Sequence, residues 1–262
     1  MKLKYQYFDT HSHTNMPPLL DNADAIFANC AEKKIFLCVV GVDHASNKIA
    51  IEQSKKYPNA ICQIGIHPCE IVENWKQQVN EFEVLVANNV LDIKAVGEIG
   101  LDYYHKKTES KIQINVFKQC LEIAIKYNKP VVLHIRDAYQ DAYDVLSEYH
   151  ARLSKILIHC YDGDAEWVSK FSKLNCYFAV GGKVTYENGA FLRDAIKTIA
   201  NNRLVLETDC PFLCPMPNKK DINTPENIII IHDYVTEILQ KDITEQVVIN
   251  ACTFYDIEIN EI

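Results

Sequence analysis

The sequence predicts an α/β protein folded as a single (β/α)8 TIM barrel, and three observations carry that expectation. Eight short apolar, β-branched runs recur along the whole chain, separated by stretches of helical period. Taking Asp9, Val42, Ile66, Glu98, His134, His159, Val180 and Glu207 as their ends, the intervals are 33, 24, 32, 36, 25, 21 and 27 residues, the step of one strand plus one crossover helix. No Gly-, Ser- or Pro-rich linker and no low-complexity segment interrupts the alternation, so residues 1–262 read as one domain. A doubly wound parallel sheet is the alternative that the same alternation permits.

The runs cover residues 5–9, 35–42, 60–66, 94–99, 130–134, 156–159, 176–180 and 203–207. Between them, residues 111–128 place Phe117, Leu121 and Ile125 at i+4 with Cys120 and Ala124 on the same face, and Lys129-Pro130 stops the helix. Thr224 followed by Pro225 predicts an N-cap and first helical position for a helix reaching about Gln240. Similar patterns predict helices over 23–34, 46–57, 139–149, 164–174 and 189–200.

Composition excludes whole classes of function. With 48% apolar and 24% charged residues the chain is neither disordered nor fibrous, and its longest aliphatic stretches, 35–42 and 228–231, fall far short of the roughly 18 residues of a membrane span. Residues 1–8 contain no apolar signal core, so a cytoplasmic protein is expected. Ten scattered cysteines then predict reduced thiols; the one close pair, Cys210 and Cys214, lacks a second pair to complete a tetrahedral zinc site. A net charge of -8 argues against gripping nucleic acid by bulk charge and leaves a local basic rim possible.

In a barrel of this kind the active site lies at the C-terminal ends of the strands. His11 and His13 follow the first run, two residues apart and hence on one face of an extended chain. His67 follows the third run, and Glu98 ends the fourth between glycines that permit a bulge or close approach. His134 and His159 end the fifth and sixth, and Asp209 closes the eighth. Each residue alone fits a buried histidine or carboxylate bonded to backbone. Together, such groups at apolar strand ends point to ligation of two ions. His44, His105, His150 and His232 read instead as solvated, and Cys69, Cys160 and Cys210 as small buried filler. Tyr103 and Tyr104 fit a substrate groove or loop packing equally well.

These motifs carry a resemblance. Phe-Asp-Thr-His-Ser-His at 8–13, Gly-Ile-His-Pro at 65–68, Val-Gly-Glu-Ile-Gly-Leu-Asp-Tyr-Tyr at 96–104, Leu-His-Ile-Arg-Asp-Ala at 133–138, Ile-His-Cys-Tyr-Asp-Gly at 158–163 and Leu-Glu-Thr-Asp-Cys-Pro-Phe-Leu at 206–213 resemble, almost end to end, the TatD family of metal-dependent hydrolases, usually described as deoxyribonucleases. The resemblance implies that His11, His13, Glu98 and Asp209 hold one divalent ion, and that Glu98 bridges to a second held by His134 and His159. It also implies that His67 and Arg136 face a substrate phosphate. The expected reaction is hydrolysis of DNA by water activated at the two ions, with Asp209 taking the proton and Glu98 fixing the ion separation. A His-rich shell suits Zn2+ or Mn2+, and the resemblance adds Mg2+. No membrane and no obligate protein partner is expected. The same barrel could instead hydrolyse an amide, a lactone or another small ester, although Glu98 stands where such enzymes often carry a carboxylated lysine; a non-catalytic barrel would be expected to lack ligands. Two departures bear on substrate preference: Asp162 replaces a usual serine, and 219–225 replaces a basic stretch with Asn-Glu-Pro.

Overall fold

The computed structural model describes residues 3–259. Its eight strands are β1 Tyr7–Ser12, β2 Ile35–Val40, β3 Ala60–Ile64, β4 Ile93–Asp102, β5 Val131–Arg136, β6 Ile156–Ile158, β7 Tyr177–Val180 and β8 Leu204–Leu206. They form one parallel sheet in sequential order, the winding of a (β/α)8 barrel, which excludes the doubly wound alternative. The seam between β8 and β1 is closed without a ladder. An isolated bridge joins Ser12 to Cys210, and the Asp209 and His13 amides donate to the His11 and Cys210 carbonyls at 2.9 and 2.8 Å. Below them the Asp9 carboxylate accepts from the Thr208 amide at 2.8 Å and hydroxyl at 2.6 Å. Burial pushes the Asp9 carboxyl up to about 8 despite those bonds.

Strand alternation separates two cores. Ile35, Leu37, Val39, Val131, Leu133, Ile156 and Ile158 pack with the helices, whereas the intervening Phe36, Cys38, Val132 and Leu157 join Phe8, Ile61 and Val205 inside the barrel. The helices are α1 Ala23–Glu32, α2 His44–Lys56, α3 Trp75–Asn88, α4 Ser110–Lys126, α5 Tyr139–Tyr149, α6 Ala165–Ser172, α7 Ala190–Ile196, α8 Ile228–Leu239 and α9 Thr244–Tyr255. Phe254 and Tyr255 of α9 plug the interior against Phe8 and Tyr177. Two of these helices went unread in the sequence. Val79, Phe82 and Val86 form the buried face of α3, a three-and-four spacing that was there to be seen. In α9 the buried face is wide and includes Asn250 and Cys252, while Glu245, Gln246 and Thr253 form a narrow exposed face, so the polar pattern is weak.

Other expectations need correction. Thr224 makes no side-chain cap; Pro225–Asn227 form one 3-10 turn, and the α-helix starts only at Ile228. The N-cap of α2 is Asp43, whose carboxylate accepts from the Ser46 amide while Ser46 bonds back, placing the helix start two residues before the expected one. His232 is buried, not solvated, because its ring nitrogens bond Asp233 and Thr244 at 3.0 Å and its edge meets Tyr7. No helix among the described residues is long and apolar enough to cross a membrane.

Candidate active site

At the C-terminal end of the barrel the structure gathers His11, His13, His67, Glu98, His134, His159 and Asp209. Two register shifts place the first and the central members. β1 shifts against β2 between Asp9 and Ser12, and β4 shifts against β5 between Val96 and Ile99. The second shift turns Glu98 inward although Val96 and Ile99 both pack outward, so Glu98 stands within a long strand rather than at its end. Gly65 and Gly100 allow the crowding: a Cβ on Gly65 would stand 2.4 Å from the Glu98 carbonyl oxygen, and one on Gly100, at φ +142°, 2.1 Å from that of His134. Asp209 and Cys160, each just beyond a strand, are left-handed at φ 56° and 46°, turning the chain back over the site.

The Glu98 carboxylate divides the donors. Its Oε2 lies 3.4 Å from His11 Nε2 and 4.0 Å from His13 Nε2, and Asp209 Oδ1 lies 3.9 and 3.4 Å from the same two nitrogens. Four ligands about 2.0–2.2 Å from one ion stand about 3.3–3.6 Å apart; His11, His13 and Asp209 already stand close enough for one ion to touch all three, whereas Glu98 must move closer to join them. His13 Nδ1 donates to the Val40 carbonyl at 3.0 Å, which turns Nε2 toward Asp209; burial disfavours the His13 cation, yet Asp209 and Glu98 outweigh it and raise its pKa, so an ion there would displace a proton. His11 Nε2 is buried without any hydrogen-bond partner. Burial, reinforced by neighbouring His159, lowers the His11 pKa and keeps the ring neutral.

Glu98 Oε1 faces a second set, 2.9 Å from His134 Nδ1, 2.9 Å from His159 Nε2 and 3.5 Å from His67 Nε2. His67, expected to face substrate, thus stands close enough to Glu98 and His134 for one ion to touch all three. Burial drives its pKa down to about 3, so it is neutral as a ligand must be. Burial disfavours the charged form of Glu98, yet His159 and the hydrogen bond from His134 outweigh it and hold the carboxyl well below its usual range.

Supporting residues that the sequence reading did not single out hold these rings. Asp102 Oδ2 accepts from His134 Nε2 at 3.0 Å and His105 Nδ1 at 2.8 Å, turning His134 Nδ1 toward Glu98. Glu207 Oε1 accepts from the Cys160 amide and lies 3.4 Å from His159 Nδ1. Their signal was position alone: both are carboxylates at strand ends, like Asp209.

A cavity of about 610 Å³ opens over this cluster, walled by Tyr104, Arg136, Lys183 and Phe212. Tyr104 is exposed on its wall under the Arg136 guanidinium, 5.0 Å from the ring centre, whereas Tyr103 packs away and donates to Asp141 at 2.6 Å. Cys69 and Cys160 are only partly buried and line the cavity rather than filling the core; Cys210 is buried as expected. Asp162 is not a free carboxylate at the mouth. Arg136 Nη1 and Lys183 Nζ donate to its Oδ2 at 2.9 Å and the Tyr139 hydroxyl to its Oδ1 at 2.8 Å. Burial opposes its ionisation, but Lys183, Tyr139 and Arg136 hold the carboxyl below its usual range.

A sequence profile described as TatD related DNase matches residues 8–256, nearly the whole chain and every residue of the cluster. The chain belongs to the TatD family of metal-dependent hydrolases. Among TatD relatives, an uncharacterized metal-dependent hydrolase of Mycoplasma genitalium, MG009, is 35% identical, the match covering 92% of this chain and 94% of that protein. YabD of Bacillus subtilis, described in the same words, is 32% identical over 91% and 93%. The crystal structure of YJJV, a TatD homologue of Escherichia coli K12, superposes with a TM-score of 0.92 at 22% identity, covering 98% of this chain and all of the other, and shares the barrel.

Proposed function

We propose that this TatD protein is a phosphodiesterase that hydrolyses DNA with two divalent ions. The observation that carries the proposal is the central place of Glu98, whose Oε2 faces His11 and His13 and whose Oε1 faces His134, His159 and His67, with His159 also within reach of the His11 side, beneath an open cavity. His11, His13, Asp209 and Glu98 Oε2 would hold one ion, and His134, His159 and Glu98 Oε1, with His67 in reach, the other; Zn2+ and Mn2+ suit the nitrogen-rich sets, and Mg2+ the carboxylates. Bound there, the ions would supply Lewis acidity, bringing water toward a pKa of about 7 and polarising a phosphoryl oxygen.

The chain's own residues do the rest. Burial disfavours the charged form of Asp209, yet His13 and His159 outweigh it and hold the carboxyl below its usual range, so it is ionised at neutral pH and accepts the proton of the attacking water. Arg136 offers one face and one edge of its guanidinium to the cavity while Nη1 stays on Asp162, so its remaining donors hold a phosphate oxygen. The stacked Tyr104 fixes its direction. Nothing in this chemistry needs a protein partner.

The test is turnover after metal removal. Protein stripped with chelator is expected to stop cleaving a labelled oligonucleotide and to regain activity with Mn2+, Zn2+ or Mg2+. Full activity in stripped protein overturns the proposal. Turnover of lactones or amides but of no phosphodiester would replace DNA with the other substrate class. Arg136→Ala is expected to weaken phosphodiester substrates while leaving metal content unchanged.

A further inference from the structure

Beside the active-site cavity lies a second cleft of about 320 Å³, at the low end of the range for small-molecule sites. It shares the Arg136, Asp162 and Lys183 wall with the first cavity and runs on to Lys219 and Phe191. Three cations, Arg136, Lys183 and Lys219, face one carboxylate there, and Asp162 has both oxygens engaged. An excess of positive charge in a chain of net charge -8 is a local feature, and it adjoins the proposed reaction centre.

The cleft also has a fixed shape. Arg193 Nη1 donates to the Val184 and Tyr186 carbonyls at 3.0 and 2.8 Å, and the Thr185 hydroxyl accepts from the Met216 amide at 2.8 Å, tying the two segments that form its sides. Lys219 Nζ stands 4.1 Å over the Tyr186 ring. Phe191, on the first turn of α7, also lines the cleft and leaves half of its surface in water, 51% exposed, although its neighbour Leu192 is buried. A flat aromatic face next to a cation pair is the combination that binds one unit of a single strand: base on ring, phosphate on ammonium.

We propose that this cleft is a nucleotide subsite, in which Lys219 and Lys183 take the phosphate next to the scissile one and Phe191 stacks on the base of that unit. The inference rests on the phosphodiesterase reading and extends it: the substrate is a polynucleotide chain, single-stranded where it crosses the cleft, rather than a small ester. Beyond Lys219 the groove continues past Lys220, Glu187 and Asp221, where two carboxylates outnumber the one ammonium, so the electrostatic grip is confined to this one unit.

The experiment compares metal-loaded wild type, Phe191→Ala and Lys219→Ala on two substrates, a single-stranded oligonucleotide and bis(4-nitrophenyl) phosphate, which is too small to span both cavities. Both side chains are exposed, so the variants fold. In Phe191→Ala the ratio of kcat/KM for the oligonucleotide to that for the small diester is expected to fall roughly 5- to 100-fold, the range of one lost base stack. In Lys219→Ala the dependence of log kcat/KM for the oligonucleotide on log salt is expected to flatten by about 0.7, one phosphate contact to a single strand. Wild type that cleaves the oligonucleotide, with both variants keeping its ratio and its salt slope, overturns the subsite alone. Wild type that hydrolyses the small diester but no oligonucleotide overturns both the subsite and the DNA reading.

Discussion

The two halves of the barrel interior use the same strands for opposite purposes. On β5, Val132 and His134 point to the same side two residues apart, and so do Leu157 of β6 and His159 directly after it. In the lower half the side chains are apolar, and α9 seals them with Phe254 and Tyr255. In the upper half five imidazoles and two carboxylates occupy a comparable cross-section, and His11 Nε2, His159 Nδ1 and Glu207 Oε2 lack hydrogen-bond partners. A buried polar atom without a partner costs about 1–3 kcal/mol, so the upper half is poorly satisfied by protein alone. The lower half stabilises the fold; the upper half spends part of that stability on groups that await ligands.

The comparison breaks most sharply at Asp209. Asp209→Asn keeps shape and loses basicity, and it is expected to fold normally, keep the ion at His134 and His159, and cleave DNA at least about a hundredfold more slowly in single-turnover experiments. Cleavage within a few fold of wild type would remove Asp209 from the role of base. In the lower half Leu157→Ala should do the reverse. Its cavity is expected to cost about 2–5 kcal/mol in denaturant unfolding, while the folded fraction keeps its metal content and its kcat.

Metal removal joins the halves. An ion present at about a hundred times its Kd would stabilise the folded chain by about 2.7 kcal/mol, so stripping it is expected to lower Tm by roughly 5–10 °C, with recovery on adding Mn2+ or Zn2+. An unchanged Tm would mean that the upper half is satisfied without ions. The smallest effect is expected at Asp162, on the cavity wall. Asp162→Asn leaves Arg136 and Lys183 without their shared anion and should cost about 1–2 kcal/mol at neutral pH. Because the folded-state pKa lies below the ordinary 3.8, this stabilisation is complete above that value and disappears as pH falls through the lowered one. Urea unfolding of both proteins at pH 7 and near pH 2 checks it: the difference should be largest at the first and smaller at the second.

Periodicity and spacing alone determined the barrel, because burial on both faces forces parallel strands into near-continuous apolar runs and a crossover helix into a regular interval. The same reasoning located His11, His13, His67, His134, His159 and Asp209, since a polar group directly after such a run has only the barrel rim to occupy. It failed where local pattern carries no information. The exposed face of α9 is narrow and its buried face includes the polar Asn250, and His232 sits in a sequence context that reads as surface until Tyr7 and Thr244 arrive from elsewhere in the chain. The inward turn of Glu98 depends on how β4 registers against β5, and the roles of Asp102 and Glu207 on which imidazole lies beside each. The charge of Asp162 is neutralised by Lys183, 21 residues away, and by Arg136. Strand and helix follow from neighbours along the chain; register, charge pairing and the emptiness of a nitrogen's surroundings follow from neighbours in space, which only the folded barrel supplies.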